Sequence, residues 1–216
     1  MSRGTTLSGA TTTKSVLLKI FNFWIQLRQV QMKLAPQTLY HLYNRGNNKQ
    51  DIFFQERNYD FFKQKAFQEL GSQVDILAYC LMPNHFHFLI STKVTLDGTK
   101  LSDSLRTLLS SYTRAIQKQE RITGSLFQQN SKFKELVSNE YASTCFHYIH
   151  QNPLRAGLAV KLEDWPHQSF KEYWENRPGI CNVALGKQLM TIPTETNQFY
   201  NESYKQIPDQ IILNLF

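Results

Sequence analysis

The chain has 216 residues, 41% of them hydrophobic and 13% aromatic, with a formal net charge of +7. That apolar content supports one cored domain of about 150 residues plus appendages, and it excludes a chain disordered throughout. Three cysteines, Cys80, Cys145 and Cys181, show no CxxC spacing. They exclude a disulfide framework and a zinc ribbon, and they make a reducing cytoplasm the default compartment.

Residues 1–35 read as a tail or extension. Residues 1–50 carry seven Lys/Arg and no Asp or Glu, so the remaining 17 basic groups are balanced by all 17 acidic ones. The overall basicity is therefore mainly N-terminal. Ser, Thr and Gly dominate to Ser15. The run "VLLKIFNFWIQLRQVQMK" that follows is amphipathic and too short and charged to span a bilayer, so no membrane partner is expected. It lacks the small-residue cleavage site of a secretory signal. A start at Met32 accounts for the leader, and its acid-free, Ser/Thr-rich composition also mimics a transit peptide.

From Pro36 the pattern sharpens. "LYHLYNR" (39–45) predicts a strand that ends at the turn Gly46-Asn47-Asn48. "ERNYDFFKQKAFQEL" puts Tyr59, Phe62, Ala66 and Leu70 at helical spacing, with Gly71 as the stop. "VDILAYCLM" (74–82) and "HFHFLIST" (85–92) are strands about a Pro83-Asn84 turn. "LSDSLRTLLSSYTRAIQKQ" aligns Leu101, Leu105, Leu108, Leu109, Tyr112 and Ile116 on a long helix. "KFKELV" (132–137) is a candidate fourth strand. Ser138 or Asn139 caps a helix through about Asn152, where Pro153 stops it. The order β-α-β-β-α-β-α points to an α+β, ferredoxin-like split βαβ, with an antiparallel central sheet and helices on one face. The core domain spans 36–175, and 176–216 form a C-terminal appendage.

Two stretches carry the chemistry. In "MPNHFHFLI" the alternation of a strand puts His85, His87 and Leu89 on one face and Phe86, Phe88 and Ile90 on the other. Imidazoles two residues apart stand roughly 6–7 Å apart and can lean toward one cation, although two hydrogen-bonded histidines give the same pattern. In "YIHQNPLRAGL" Tyr148 and Asn152 are i and i+4 and share a helix face, beside an apolar stripe of Ala142, Phe146 and Ile149. A packed tyrosine and a helix-terminal asparagine would look the same. His150 falls on another face, with a packing or surface role.

These two stretches, with "YNRGNNKQDIF" before them and "SYTRAIQKQERITGSLFQ" between them, resemble the single-tyrosine HUH transposases, in particular the branch of REP-associated tyrosine transposases within the IS200-like superfamily. The resemblance covers about residues 38 to 174. It implies a ferredoxin-like fold, His85 and His87 as ligands of a divalent metal, Tyr148 as nucleophile, and Asn152 as third ligand where relatives use Gln or Asn. It implies Mg2+ or Mn2+ as cofactor, a single-stranded or hairpin DNA substrate, a homodimer in many relatives, and a cytoplasmic, nucleoid-associated location. The sequence departs from the family after "SLFQ", where Gln129-Asn130-Ser131 precede Lys132-Phe133-Lys134.

The residue types suit that chemistry. A divalent ion withdraws charge from an attacked phosphodiester, and two neutral imidazoles with one amide oxygen leave its charge undiminished. Tyrosine has an unperturbed pKa near 10, so its phenol needs help to ionise. Attack on the phosphate leaves a 5′-phosphotyrosine and a free 3′-OH, and another 3′-OH can reverse the step. Tyr112 is the alternative nucleophile, although its alignment with Leu105, Leu108 and Ile116 favours burial.

Residues 100–134 hold seven basic residues against two acidic ones. Arg106, Arg114, Lys118, Arg121, Lys132 and Lys134 are candidate phosphate contacts, joined by Asn44 and Arg45 at the end of the first strand. The alternative function is a domesticated DNA-binding protein without turnover. A metal hydrolase unrelated to nucleic acid is a third reading, and no carboxylate general base stands near the histidines to support it.

Overall fold

In the computed structural model, which describes residues 34–215, the alternation along β3 (His85–Thr92) decides the architecture. Phe86, Phe88 and Ile90 are buried in one core, and Leu89 in a second core on the other side of the sheet. The amphipathic run before Leu34 and the start at Met32 lie outside the described residues.

The chain runs through β1 (Leu39–Arg45), α1 (Glu56–Leu70), β2 (Val74–Met82), β3, α2 (Gly98–Glu120), β4 (Lys132–Glu135) and α3 (Asn139–Arg155). Four short helices follow: α4 (Phe170–Trp174), α5 (Val183–Leu189), α6 (Thr196–Ser203) and α7 (Asp209–Leu213). The sheet order is β2-β3-β1-β4, and every neighbouring pair is antiparallel. β1 and β2 therefore run parallel with β3 between them. This is the expected α+β split βαβ arrangement.

The crossover helices α1 and α2 share one face, as expected of helices on one face. They bury Tyr59, Phe62, Ala66 and Leu70 with Leu101, Leu105, Leu108 and Tyr112 against Phe86 and Phe88. The late helix does not join them. α3 covers the opposite face, packing Ala142, Cys145, Phe146 and Ile149 on Leu77, Cys80 and Leu89. The reason is legible in β2, whose apolar run is buried almost end to end and so needs cover on both sides. A register shift between Ile76 and Ala78 adds to this, turning both Leu77 and Ala78 toward α3.

Residues 176–216, expected as an appendage, do not form a separate body. From Leu34 onward the chain is one compact unit. Met190, Ile192, Phe199, Ile207 and Leu215 are buried in the same core as α3. Helices of five to eight residues make about two turns at most, so they leave little periodicity to read.

Local chemistry places the ends. Asp97 caps α2 by accepting from Thr99 N and Lys100 N at 2.9 and 3.1 Å. Ser138 caps α3 through Tyr141 N at 3.2 Å. The loop after β1 is laced to the β2–β3 turn. Gly46 N donates to the Asn84 carbonyl at 2.7 Å, and Ile52 N and Phe53 N donate to the Pro83 carbonyl at 2.8 and 3.0 Å. A Cβ on Gly46 would lie 1.9 Å from the Gln50 carbonyl oxygen, which is backbone and cannot swing away. Gly46→Ala is therefore expected to lower stability by about 2 kcal/mol or more, the range of strained backbone sites. Urea unfolding measures it, and an unchanged midpoint would show that the loop yields freely.

Candidate active site

β3 delivers His85 and His87 to the face that α3 covers, and β1 lies alongside. The antiparallel register sets Tyr43 opposite His87 and Arg45 opposite His85. α3 adds Tyr148 from above. Together Tyr43, Asn44, Arg45, His85, His87 and Tyr148 line a pocket of about 230 Å³. The His85 and His87 rings are 4.9 Å apart and nearly perpendicular at 87°. The Tyr148 ring stands edge-on to His87 at 6.0 Å. Three of the four residues singled out for the chemistry thus converge.

Asn152 does not line this pocket. It is buried one turn further along α3, and its Nδ2 donates to the Tyr148 carbonyl at 2.9 Å and the Ile149 carbonyl at 3.4 Å. The second contact has a local cause. Pro153 has no N–H, so the Ile149 carbonyl four residues back loses its helical donor, and the Asn152 amide stands in for it. The helix accordingly does not stop at Asn152 but runs through Pro153 to Arg155.

Burial sets the protonation states. It pushes His85 down to about 4, with the Arg45 charge as a second cause. His87 is held well below its ordinary value by burial, then by His41 and His85. Both rings are neutral at pH 7 and hold a lone pair, the form that binds a metal. The Tyr148 phenol is shifted the other way. Burial raises its pKa, Cys145 adds to that, and the Asn152 side chain and Arg155 oppose it. No carboxylate among the described residues lines the pocket. Among the described residues no three His, Cys, Asp or Glu side chains group as a cation site. A divalent ion would therefore find two nitrogen donors here and depend on oxygens from an amide, water or phosphate for the rest.

The family model described as "Transposase IS200 like" matches residues 35–152, a stretch that contains His85, His87, Tyr148 and Asn152. The chain belongs to the IS200-like transposase family. Transposase-type DNA cleavage is accordingly its class of activity. A solved structure of a REP-associated tyrosine transposase bound to a REP hairpin is similar in fold, with a TM-score of 0.56 at 15% identity, over 67% of this chain and 84% of that one. A bacterial tRNA(His) guanylyltransferase-like protein in complex with ATP reaches a TM-score of 0.36 at 12% identity, over 73% and 81%. No curated protein matches the chain.

The transposase divides its basic residues between two faces. On β4, Lys132 pairs with Tyr43 and Lys134 with His41, while Phe133 pairs with Leu42 in the α1/α2 core. By the pleat, Lys132 and Lys134 share the histidine face with Arg45. No carboxylate pairs with these three among the described ion pairs, and the buried Arg45 Nε has no hydrogen-bond partner among the described residues. Arg106, Arg114, Lys118 and Arg121 are exposed on α2 or at its end, across the sheet, and Arg106 pairs with Asp103. Asn44 is engaged inside the protein. Its Nδ2 donates to the Gln128 carbonyl and to Ser131 Oγ, which ties down the segment that departs from the family pattern.

Tyr112 is not brought to the histidines. It is fully buried between α1 and α2, and its hydroxyl donates to the Ile52 carbonyl at 2.7 Å. His150 is buried as well, with Nε2 2.8 Å from Ser169 Oγ. Residues that sequence reasoning passed over are His41, Tyr43 and Asn84. His41 and Tyr43 alternate with Arg45 on β1, and that spacing was the available signal. No helix among the described residues is long and apolar enough to cross a membrane.

The buried histidines make stability depend on pH. His41, His85 and His147 are held at about 4 and His150 at about 3 by burial, below the ordinary 6.5. Between those values the unfolded chain binds more protons than the native one, so stability falls as pH drops from about 6.5 toward 4. Above 6.5 both states are neutral and this cost is absent. The urea midpoint at pH 5.0 should lie below that at pH 7.5, and equal midpoints would contradict the burial of these rings.

Proposed function

We propose that this transposase cuts and rejoins one strand of single-stranded or hairpin DNA, with Tyr148 as nucleophile and His85 and His87 as ligands of Mg2+ or Mn2+. One observation carries the reading: a phenol and two neutral imidazoles share a pocket with an arginine that has no carboxylate partner among the described ion pairs. The hairpin bound by the structural neighbour supports that form of DNA as substrate.

The side chains divide the work. Arg45 binds a non-bridging phosphate oxygen and orients the phosphodiester, and Lys132 and Lys134 guide the flanking backbone along the histidine face. The Tyr148 oxygen attacks phosphorus as the bond to the 3′ oxygen breaks. The phenol gives up its proton, the departing oxygen gains one, and the 5′ phosphate stays on Tyr148. The linkage conserves the bond energy, so a new 3′-OH reverses the step and joins strands. When bound, the ion supplies charge withdrawal at the phosphate. Asn152 is the proposed third ligand, and its contact with Tyr148 also favours ionisation of the phenol.

The reading is tested by incubating the protein with Mn2+ and a labelled hairpin oligonucleotide. A covalent adduct should form, vanish in Tyr148→Phe and persist in Tyr43→Phe and Tyr112→Phe. Tyr43 is the informative control, since it is the pocket's other phenol. Hairpin binding with no adduct in either Mg2+ or Mn2+ would instead support a binding protein without turnover.

The two basic faces make separate predictions. Lys132→Ala with Lys134→Ala should weaken hairpin binding and reduce the slope of log K against log salt by roughly 0.7–0.9 per lost phosphate contact. Arg114→Ala with Lys118→Ala should change neither. Equal losses from both pairs would remove the histidine face as the DNA track.

A further inference from the structure

A carbonyl oxygen accepts hydrogen bonds and donates none. His41 Nδ1 lies 3.1 Å from the Leu215 carbonyl, so that nitrogen carries the hydrogen. In a neutral imidazole with the hydrogen on Nδ1, the other nitrogen, Nε2, bears a lone pair. That Nε2 is 2.8 Å from His87 Nδ1. His87 must therefore donate from Nδ1, and its own lone pair falls on Nε2.

Asn84 fixes the second ring in the same way. Its Nδ2 donates to the Lys49 carbonyl at 3.2 Å, which identifies Oδ1 as the atom facing His85. Oδ1 is 2.6 Å from His85 Nδ1 and can only accept. His85 therefore also carries its hydrogen on Nδ1 and its lone pair on Nε2. Two independent chains, each anchored on a backbone carbonyl, impose one tautomer on both rings.

We propose that His41 and Asn84 are positioning residues that fix His87 and His85 as Nδ1–H tautomers, so that Nε2 of each is the ligating atom. This rests on the reading of the two histidines as metal ligands. Neither residue lines the pocket. Each orients a ligand and raises its basicity, as partners of metal-bound histidines do. The His41 arm draws on Leu215, which lies outside the stretch 35–152 that matches the family model. That arm is therefore completed by the segment that follows α7.

The test begins with metal-free, 15N-histidine-labelled full-length protein. Long-range 1H–15N spectra at pH 7.5 should show a protonated Nδ1 and a pyridine-like Nε2 for His85 and for His87. A protonated Nε2 on either ring overturns the proposal for that arm. His41→Phe should turn His87 into a mixture of tautomers and weaken Mn2+ binding, read by calorimetry without DNA, by about 10-fold or more. His41→Gln, which keeps an acceptor, should recover most of the affinity. Asn84→Ala should do to His85 what His41→Phe does to His87. Unchanged tautomers and affinity in both variants would show that the contacts only pack the site. The expected tautomers without a DNA adduct would leave this proposal standing and sink the Tyr148 reading. An adduct formed with either ring protonated on Nε2 would do the reverse.

Discussion

The pairing of β1 with β3 is the constraint on which the rest depends. It runs from Leu39 opposite Ser91 to Arg45 opposite His85. Because side chains alternate, this register stacks Tyr40 and Leu42 with Phe86 and Phe88 in one core. It leaves His41, Tyr43 and Arg45 beside the two histidines. A slip of one residue would exchange the faces, burying the polar set among the phenylalanines. The apolar face thus enforces the geometry of the polar one. Phe86, between the two histidines, and Phe88, just after them, are as much part of the site as the imidazole rings.

Burial then acts on the site in two opposed ways. It keeps His85 and His87 neutral, which suits the proposed metal ligation, and it raises the Tyr148 pKa, which opposes the proposed attack. One wall of protein produces both effects, since low-polarity surroundings disfavour whichever form is charged. The positive charge needed to resolve the conflict is close by. Arg45 lines the same pocket, and Arg155 and the Asn152 amide already act on the phenol in the favourable direction.

α3 shows how structure and chemistry share residues. Its segment from Cys145 to Pro153 is buried on all sides, because the sheet lies beneath it and the short C-terminal helices lie around it. Asn152 repairs the hydrogen bond that Pro153 removes, so its amide has a structural duty independent of any ligand role. The same C-terminal segment that covers α3 supplies the Leu215 carbonyl to His41. The cover and the orientation of the site therefore come from one stretch of chain.

Much of the fold was legible because it is written in local patterns. Helical spacing of Tyr59, Phe62, Ala66 and Leu70, alternation in "HFHFLIST" and the Pro83-Asn84 turn each report on neighbours only a few residues away. The placement of His85, His87 and Tyr148 followed from those patterns and from family motifs. The C-terminal packing was not legible, since five-residue helices carry too few turns to show a face. By itself, the sequence determined the strands, the long helices, the split βαβ order and the residue types of the chemistry. Only the tertiary structure decided that α3 lies on the histidine face, that Lys132 and Lys134 share that face while Arg114 and Lys118 do not, and that His41 and Asn84 hold the two rings. Those facts depend on strand register and on hydrogen bonds between distant segments. The link between His41 and Leu215 spans 174 positions, beyond the reach of any local spacing.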